Sequence, residues 1–488
     1  MTASSVPSSR LSRMFHYTGL AAGMAMGAIN EGLKRAAFGS GSGTITGEEA
    51  SRNSLILNEA NIERLVRTLS RMRGAALKLG QLLSFQGNIY SLEQALPLAK
   101  HVTDSKVLPP TLHEILSRLQ DSADYMPPSQ LHPILLRTLG SEWRSLYLTF
   151  NETPLAAASI GQVHAGTLNP SLIPLCDPRN PDHPDHPQHA PGEYPVAIKI
   201  QYPDIKASID SDLNNLSLLL TASRLLPKGL YLDKTIANAR TELAWECDYV
   251  NEAESLNRFH TLLPLIPDNS FALPHVIPQA SGEHVLTMTR MLGHPVTRIT
   301  DLTHEERNFI GDELLCLTLN EIAKFRFMQT DPNWSNFLWN RKTGKIELLD
   351  FGACRSFSDE FVDSYLDLLR AARVRNAERC RDLSIKLGYL TGMETKSMVD
   401  AHVQSIFILA DPFVDPTTKG EEKYDFRNQT VTERIKALIP LMLQQRLTPP
   451  PEETYSLHRK LSGAFLLAAK LGSRVRCRQI FGEIVGFD

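Results

Sequence analysis

The stretch LAAASIGQVH (155–164) lies between two apolar runs, and YPVAIKIQYP (194–203) follows it after a proline-rich insertion. A strand, a tight turn of small residues, a second strand and then Val-Ala-Ile-Lys is an order of elements that binds the phosphates of ATP. Glycines usually form such a turn because backbone N–H groups must approach the phosphates closely. Here the turn is predicted to consist of Ala156, Ala157, Ala158 and Ser159. The two segments therefore indicate a nucleotide site in which alanines stand where glycines are usual.

Two acidic motifs in the second half of the chain extend this pattern. QTDPNWSNFLW contains Asp331 and Asn336, five residues apart in a loop with proline, and LLDFG places Asp350 directly after an apolar strand. In a protein-kinase-like site the first aspartate orients or deprotonates the attacking group, while the asparagine and the second aspartate bind Mg²⁺ through oxygen atoms. The order of these motifs behind VAIK favours nucleotide binding over a chance set of capping and turn residues.

Lys199 of the VAIK strand needs a carboxylate that holds it against the phosphates. The predicted helix TELAWECDYVNEAESLNRF supplies Glu242, Glu246, Asp248, Glu252 and Glu254. Asp248 and Glu252 are four residues apart and share a face of one helix, whereas Glu246 is rotated well away from Glu252 around the helix. We expect one carboxylate to reach Lys199 and others to bind a different partner, with a solvated acidic face as the alternative.

The chain lacks the segments by which protein kinases receive a peptide. Behind DFG it reads ACRSFSDEFVDSYLDLLRAA, which is predicted to be helical by about Asp359, and no Ala-Pro-Glu follows. The His-Arg pair that usually precedes the catalytic aspartate is replaced by Gln329 and Thr330. These differences argue against phosphorylation of peptides.

Composition restricts the class of protein further. At 488 residues the chain is expected to form two or three packed units, and a net charge of −3 gives no basic field for nucleic acid. Six scattered cysteines with no CxxC pair argue against a disulfide framework or a zinc site and suit a reducing compartment.

The N-terminal residues have a separate character. Residues 1–30 contain Arg10, Arg13, many serines and no acid, a composition found in mitochondrial transit peptides. The run 14–30 is uncharged and, as a helix of about 25 Å, reaches only the lower limit of a bilayer span. Membrane insertion or association is expected, and a buried or interfacial helix is the alternative.

Three glycines in this run share one helix face. Gly19, Gly23 and Gly27 lie at four-residue spacing, a pattern that packs helices closely in lipid. The face is therefore a candidate surface for a homodimer.

These features together resemble the UbiB family of atypical kinases, also called the ADCK family, and are most similar to its mitochondrial coenzyme Q-biosynthesis branch. The resemblance extends over almost the whole chain, and several of its motifs are long and absent from ordinary protein kinases. The motifs are KLGQ (78–81), AAASIGQVH (156–164), VAIKIQYP (196–203), ECDYVNEA (246–253), MQTDPNWSNF (328–337) and LLDFG (348–352).

The resemblance implies a role for each matching residue. Lys199 would pair with Glu252 and contact phosphates, Asp331 would be the catalytic aspartate, and Asn336 and Asp350 would hold Mg²⁺. The residues implied to contact ATP or ADP are Ala156, Ala157, Ala158, Ser159, Lys199 and Met288. The alanine methyl groups restrict φ, so altered nucleotide preference and suppressed autophosphorylation are expected.

A regulatory element is implied as well. The family's KxGQ helix, here Lys78, Gly80 and Gln81, would cover the region where a protein substrate binds. The carboxylates of Glu246 and Asp248 would hold it there. Occlusion from within is a second reason to expect no protein substrate.

The expected architecture is α+β, a two-lobed protein-kinase-like fold with a helical N-terminal KxGQ extension and an enlarged helical C-lobe. The predicted divisions are 1–48 for the membrane-associating helix and linker, 49–140 for the KxGQ extension, 141–290 for the N-lobe with its insertion at 169–194, and 291–488 for the C-lobe.

The resemblance implies an ATP- and Mg²⁺-dependent atypical kinase or ATPase required for ubiquinone (coenzyme Q) biosynthesis. Hydrolysis would be coupled to the handling of lipid-like precursors or to assembly of biosynthetic enzymes at the membrane. The alternatives are a non-catalytic nucleotide-binding scaffold and a protein Ser/Thr kinase. Expected partners are anionic membrane lipids, quinone-precursor small molecules and the ubiquinone-biosynthesis enzyme complex, on the matrix side of the mitochondrial inner membrane.

Overall fold

The computed structural model describes residues 6–7, 10–38, 61, 63–64, 67–68, 125–173, 193–223, 232–267, 270–331, 333–415 and 422–487. The KxGQ residues Lys78, Gly80 and Gln81 lie outside these ranges, as do most of the predicted KxGQ extension and most of the insertion. Two compact units are present. Described residues up to Ala253 and those of His275–Arg290 form unit 1, and those of Glu254–Pro274 and from Met291 onward form unit 2.

Helices and strands are numbered in chain order. The described helices are α1 (Arg10–Phe38), α2 (Pro128–Leu139), α3 (Ile205–Ser223), α4 (Leu232–Glu246), α5 (Tyr249–Leu262), α6 (His304–Asn320), α7 (Asp359–Arg373), α8 (Ala377–Lys386), α9 (Lys396–Ala410), α10 (Val431–Gln445), α11 (Glu452–Leu471) and α12 (Cys477–Ile484). The described strands are β1 (Tyr147–Phe150), β2 (Ala156–Ala157), β3 (Gly161–Leu168), β4 (Pro195–Gln201), β5 (Phe271–Ala272), β6 (Val285–Thr289), β7 (His294–Pro295), β8 (Phe327–Gln329), β9 (Phe337–Asn340), β10 (Lys345–Leu348), β11 (Cys354–Ser356), β12 (Tyr424–Asp425) and β13 (Arg474–Val475).

Unit 1 is built on an antiparallel sheet in the order β1-β3-β4-β6. The short strand β2 also pairs with β3, at Gln162 and Val163. Side chains alternate between the faces of a strand, so β4 presents Val196, Ile198 and Ile200 on one side and Lys199 on the other. The three apolar residues are 0% exposed and belong to the core that α2, α3 and α4 cover. The hydrophobic alternation of VAIKI thus directs the lysine away from the core.

The helical segment after β4 differs from the sequence prediction. One continuous helix was expected from TELAWE to SLNRF, but the chain leaves α4 at Glu246 and begins α5 at Tyr249. The Oδ1 atom of Asp248 accepts a hydrogen bond from the N–H of Asn251 at 3.0 Å, which is the bond of a helix N-cap. The prediction that Asp248 and Glu252 share one helix face is therefore wrong, because Asp248 precedes the helix that carries Glu252.

Helix α1 is part of the fold of unit 1. Its Arg13 donates to Asp212 of α3 and to the carbonyl of Pro7, and both side chains of the ion pair are almost fully buried. Val6 exchanges two backbone hydrogen bonds, of 3.0 and 2.9 Å, with the side-chain amide of Gln130 on α2. Residues with the composition of a transit peptide therefore supply buried contacts here.

Two of the three glycines on one face of α1, Gly23 and Gly27, lie against other residues of the chain. A Cβ at Gly27 would collide with the side chain of Asn61, and one at Gly23 would contact Arg64 at 3.6 Å. Asn61 also donates to the carbonyl of Met24 at 2.9 Å. The homodimer through this face stays a prediction.

The uncharged run 14–30 lies inside the 29-residue helix α1, and no helix among the described residues has the length and apolar character needed to cross a membrane.

Unit 2 combines small sheets with a large helical core. One sheet has the order β5-β10-β9-β7, and β8 pairs with β11 in a separate two-stranded ladder. The segment FLWNRKTGKIEL forms the hairpin of β9 and β10, whose register pairs Asn340 with Lys345. Helix α11 buries Leu457, Leu461 and Phe465 in the core formed with α6, α7 and α9. An α+β fold with a helix-rich C-terminal region is thus confirmed.

Replacing Arg13 by methionine is expected to lower the free energy of unfolding by about 3–5 kcal/mol at neutral pH, because the Asp212 carboxylate stays buried without its cation. Burial raises the pKa of Asp212 to about 6, and Arg13 opposes that rise. A raised pKa means that protonation stabilises the folded state as the pH falls below about 6. Without Arg13 this protonation begins at higher pH. The free energies of unfolding of wild type and Arg13→Met, measured with urea, should therefore differ less at pH 5 than at pH 8.

The matched control is Arg240→Met. Arg240 pairs with Asp210 of the same helix α3 at 2.7 Å, but these side chains are 43% and 76% exposed. Loss of an exposed pair should cost no more than about 1 kcal/mol. Equal losses in the two variants would contradict the structural role of Arg13.

Candidate functional site

The alanine-rich turn is a β-hairpin. Ala156 and Ala157 pair with Val163 and Gln162 as strand β2, and the N–H of Ala158 donates to the carbonyl of Gly161 at 2.7 Å. The turn therefore comprises residues 158–161, and the predicted limits of 156–159 are wrong by two residues. None of the four residues is among those with positive φ, so alanine fits this turn without backbone strain.

Gly161 is the position in this hairpin where glycine is required. A Cβ there would collide with the carbonyl oxygen of Ile200 and lie 2.9 Å from the hydroxyl of Tyr249. Gly161 pairs with Gln201 at the end of β4, two residues from Lys199. The close approach of two strands, rather than the approach of a phosphate, thus explains this glycine.

Lys199 and Glu252 form a buried ion pair in unit 1. The Nζ atom lies 2.8 Å from each carboxylate oxygen, and the two residues are 8% and 1% exposed. The ring of Tyr249 lies 5.3 Å from the ammonium group. The predicted contact is present, and it holds a lysine charge at a fixed place on the sheet face opposite the core.

The neighbouring carboxylates have other partners. Glu246 accepts a hydrogen bond of 3.1 Å from the hydroxyl of Ser159 in the hairpin turn, and Asp248 caps α5. The predicted contacts of both with the KxGQ residues lie outside the described residues. Glu246 therefore links the turn to the end of α4, and Asp248 sets where α5 begins, one turn before Glu252.

Met288 lies on β6 directly opposite Ala197 of β4, and its side chain packs partly buried against the core of unit 1. Ala197, its partner on β4, lies two residues before Lys199. The predicted contact of Met288 with the nucleotide stays a prediction.

Asp331 and Asn336 are joined in unit 2. The Nδ2 atom of Asn336 donates to Oδ2 of Asp331 at 3.2 Å, and the N–H of Asn333 donates to Oδ1 at 3.3 Å. Asn336 ends a short 3₁₀ turn that Asn333 caps through the N–H of Ser335. The loop therefore fixes the aspartate that is predicted to act on the attacking group.

Asp350 adopts a left-handed conformation with φ of 61°. The N–H of Gly352 donates to its Oδ1 at 3.3 Å, and the N–H of Leu349 donates to the carbonyl of Asn336 at 2.9 Å. A non-glycine residue keeps such a conformation only where neighbouring contacts fix it. The backbone hydrogen bond from Leu349, the residue before Asp350, thereby ties this segment to Asn336.

The chemistry of these two residues fits Mg²⁺. A magnesium ion takes oxygen ligands and is usually held by one or two carboxylates together with substrate phosphates. Asn336 uses its NH₂ group on Asp331, which leaves the amide oxygen as the ligand atom, and Asp350 supplies a carboxylate. When bound, the metal would neutralise charge on the phosphates.

The segment behind Asp350 is short. Phe351 is buried against Phe259 at a ring distance of 5.0 Å, β11 pairs with β8, and α7 starts at Asp359 with Ser358 as its N-cap. The predicted helix start is confirmed. There is no room in this segment for a long peptide-binding loop.

Sequence reasoning missed a buried polar cluster beneath the loop. Lys460 of α11 lies 2.9 Å from Glu321 and donates to the carbonyl and the side-chain oxygen of Gln329 at 2.8 and 3.0 Å. Burial raises the pKa of Glu321, and Lys460 opposes that rise. The available signal was a lysine on the apolar stripe of α11, beside Leu457 and Leu461, where a charge requires a partner.

The local geometry in each unit is of the kind expected in a protein-kinase-like protein, and similarity to known proteins agrees with that class. The chain matches the ABC1 atypical kinase-like domain over residues 118–171 and 188–384. It is 48% identical over 487 residues to "Atypical kinase COQ8, mitochondrial" of Saccharomyces cerevisiae, covering 100% of this chain and 87% of that protein. The Schizosaccharomyces pombe protein of the same name is 46% identical over 485 residues, covering 99% and 71%.

A further relative and one solved structure also match most of this chain. "Atypical kinase COQ8B, mitochondrial" of Danio rerio is 43% identical over 479 residues, covering 98% of this chain and 69% of that protein. The solved complex of Rv3197 with erythromycin from Mycobacterium tuberculosis has a TM-score of 0.53 at 22% identity, covering 88% and 97%, and this likeness shows the fold alone. The chain belongs to the ABC1 atypical kinase-like family, which confirms the resemblance stated from its motifs.

Gly161→Ala is expected to push β3 away from β4 and to cost about 1–3 kcal/mol of stability, since the clash is with backbone. The affinity for ATP, measured by calorimetry on the folded fraction, should fall as Lys199 is displaced.

Ala158→Gly in the same turn is the control, because it removes a methyl group without a clash. It should fold normally, and any change in its nucleotide preference would then come from the turn itself. An unperturbed Gly161→Ala protein would contradict the close approach.

Asp248 can be tested with two substitutions. Asp248→Asn keeps an N-cap and should leave thermal stability unchanged, whereas Asp248→Ala should lose about 0.5–2 kcal/mol. If the charge of Asp248 also holds the KxGQ helix, Asp248→Asn should change ATP turnover even though its stability is unchanged. Equal stability of the two variants would show that the cap contributes nothing.

Proposed function

We propose that this chain is a Mg²⁺-dependent ATPase of the ABC1 atypical kinase-like family that supports coenzyme Q biosynthesis. One observation carries the proposal: the buried Lys199–Glu252 pair of unit 1 and the Asp331–Asn336 and Asp350 arrangement of unit 2 occur in one chain. Lys199 would bind phosphate oxygens of ATP, and Asn336 and Asp350 would hold Mg²⁺. Asp331 would orient the attacking group, which is water in hydrolysis.

The short segment behind Asp350 supports a non-peptide acceptor. Only six residues, 353–358, separate the DFG motif from α7, and they include β11 and the cap residue Ser358. We therefore propose that the terminal phosphoryl group goes to water, a small molecule or a lipid, and that hydrolysis serves the handling of quinone precursors or the assembly of biosynthetic enzymes. A protein Ser/Thr kinase is the less favoured candidate.

Helix α1 supports an association with membranes. Phe15, Met26, Ile29 and Leu33 are 64–72% exposed, and the last three follow helical spacing along one side. Tyr17, Leu20 and Met24 on the other side are buried in the chain. We propose that the exposed stripe lies in the interface of an anionic membrane, on the matrix side of the mitochondrial inner membrane.

The test is ATP turnover by the purified full chain with and without Mg²⁺, anionic liposomes and phenolic quinone precursors. Mg²⁺ should be required, and liposomes or precursors should raise turnover. Asp350→Asn should reduce kcat by at least about 100-fold, because a metal ligand stabilises the transition state by several kcal/mol. Asp382→Asn, an exposed carboxylate of the same unit, is the control and should behave as wild type.

Three outcomes would overturn parts of this proposal. A folded Asp350→Asn protein that still restores coenzyme Q synthesis in a deficient cell would favour the nucleotide-binding scaffold. Strong transfer of labelled phosphate from ATP to a peptide library would favour a protein kinase. Identical turnover with and without liposomes would contradict the membrane role of α1.

A further inference from the structure

We infer that Lys460 and Glu321 are positioning residues that, through Gln329, set the place of Asp331 and Asp350. The inference rests on the proposed function, because it concerns the residues that would act on ATP. Neither residue belongs to the kinase-like motifs of the sequence, and Lys460 lies on α11, 110 residues after Asp350.

Lys460 contacts both Gln329 and Glu321. Its Nζ donates hydrogen bonds to Gln329 O at 2.8 Å and Gln329 Oε1 at 3.0 Å, and it forms an ion pair with Glu321 Oε2 at 2.9 Å. The side chains of Lys460 and Glu321 are 4% and 1% exposed. Two of the three contacts therefore act on Gln329, not on Glu321.

Gln329 connects Lys460 to the segments that contain Asp331 and Asp350. Because its Oε1 accepts from Lys460, its Nε2 is directed the other way, where it donates to the carbonyl of Asp350 at 3.1 Å. Its own N–H donates to Oε1 of Glu321 at 3.2 Å. Without Lys460 the Gln329 amide would lose the donor that holds its oxygen, and its bond to Asp350 would be less firmly fixed.

Thr330 makes a second connection between the two segments. Its N–H and its hydroxyl both donate to the carbonyl of Ala353, at 2.9 and 2.6 Å. Asp331 is the next residue. Gln329 and Thr330, which stand in place of the usual His-Arg pair, thus bind the strand before Asp331 to the segment that contains Asp350.

If Lys460 and Glu321 served only the stability of the fold, the expected result would differ from that of a positioning role. A buried ion pair is seldom more stable than two apolar side chains of similar volume, whereas removal of one partner is costly. Replacement of both residues should therefore restore stability in either case. Only a positioning role predicts that function stays impaired after stability is restored.

The variants are Lys460→Met and the double variant Lys460→Met with Glu321→Met. The single variant should unfold at clearly lower denaturant concentration than wild type, and the double variant should recover most of that loss. The kcat of the double variant should nevertheless remain about 100-fold reduced, as expected for a misplaced catalytic group, while the KM for ATP changes little. Amide hydrogen exchange over residues 326–356 should be faster than in wild type, and this is measured without nucleotide.

Arg476→Met is the matched control. Arg476 pairs with Asp312 of α6 at 2.8 Å in the same unit, so its loss should lower stability without reducing kcat or accelerating exchange in 326–356. A double variant with wild-type kcat and wild-type exchange would overturn the inference. If wild type hydrolyses no ATP, the proposed function fails, and the exchange measurement alone then decides the inference.

Discussion

A lysine ammonium buried against one carboxylate constrains strand β4 and helix α5 of unit 1. Neither Lys199 nor Glu252 would be stable there as a lone charge. The pair requires β4 to keep its register, because a shift of one residue would move Lys199 to the core face. It also requires α5 to begin at Tyr249, which the cap by Asp248 ensures. The absence of a side chain at Gly161 serves the same requirement, since it allows β3 to lie against β4.

Short-range patterns predicted most of this arrangement. The VAIK strand and the start of α7 are both encoded by residues close in sequence. The mistakes have local causes as well. ECD reads as helix because it contains no glycine or proline, and only the capping ability of Asp248 marks the break between α4 and α5. The limits of the hairpin turn depend on hydrogen bonds between strands, which composition does not reveal.

Contacts between distant residues could not be predicted from one sequence. Arg13 and Asp212 are 199 residues apart, and Lys460 donates to a residue 131 positions earlier. A buried charge can be suspected from its place on an apolar stripe, but its partner cannot be identified from the stripe. The composition of residues 1–30 was typical of a targeting segment, while the fold uses Arg13 as a structural cation.

The pairing of β3 with β4 has a consequence for variation in chain length. The two strands are antiparallel neighbours from Gly161–Gln201 to Thr167–Pro195, and the N–H of Leu168 donates to the carbonyl of Tyr194 at 2.9 Å. The ladder itself thus joins the two ends of the connecting segment. Each doubling of a flexible connection costs only about 0.6 kcal/mol in closure entropy. Additional residues can therefore accumulate between these strands, and a reporter peptide can be inserted there, without moving Lys199.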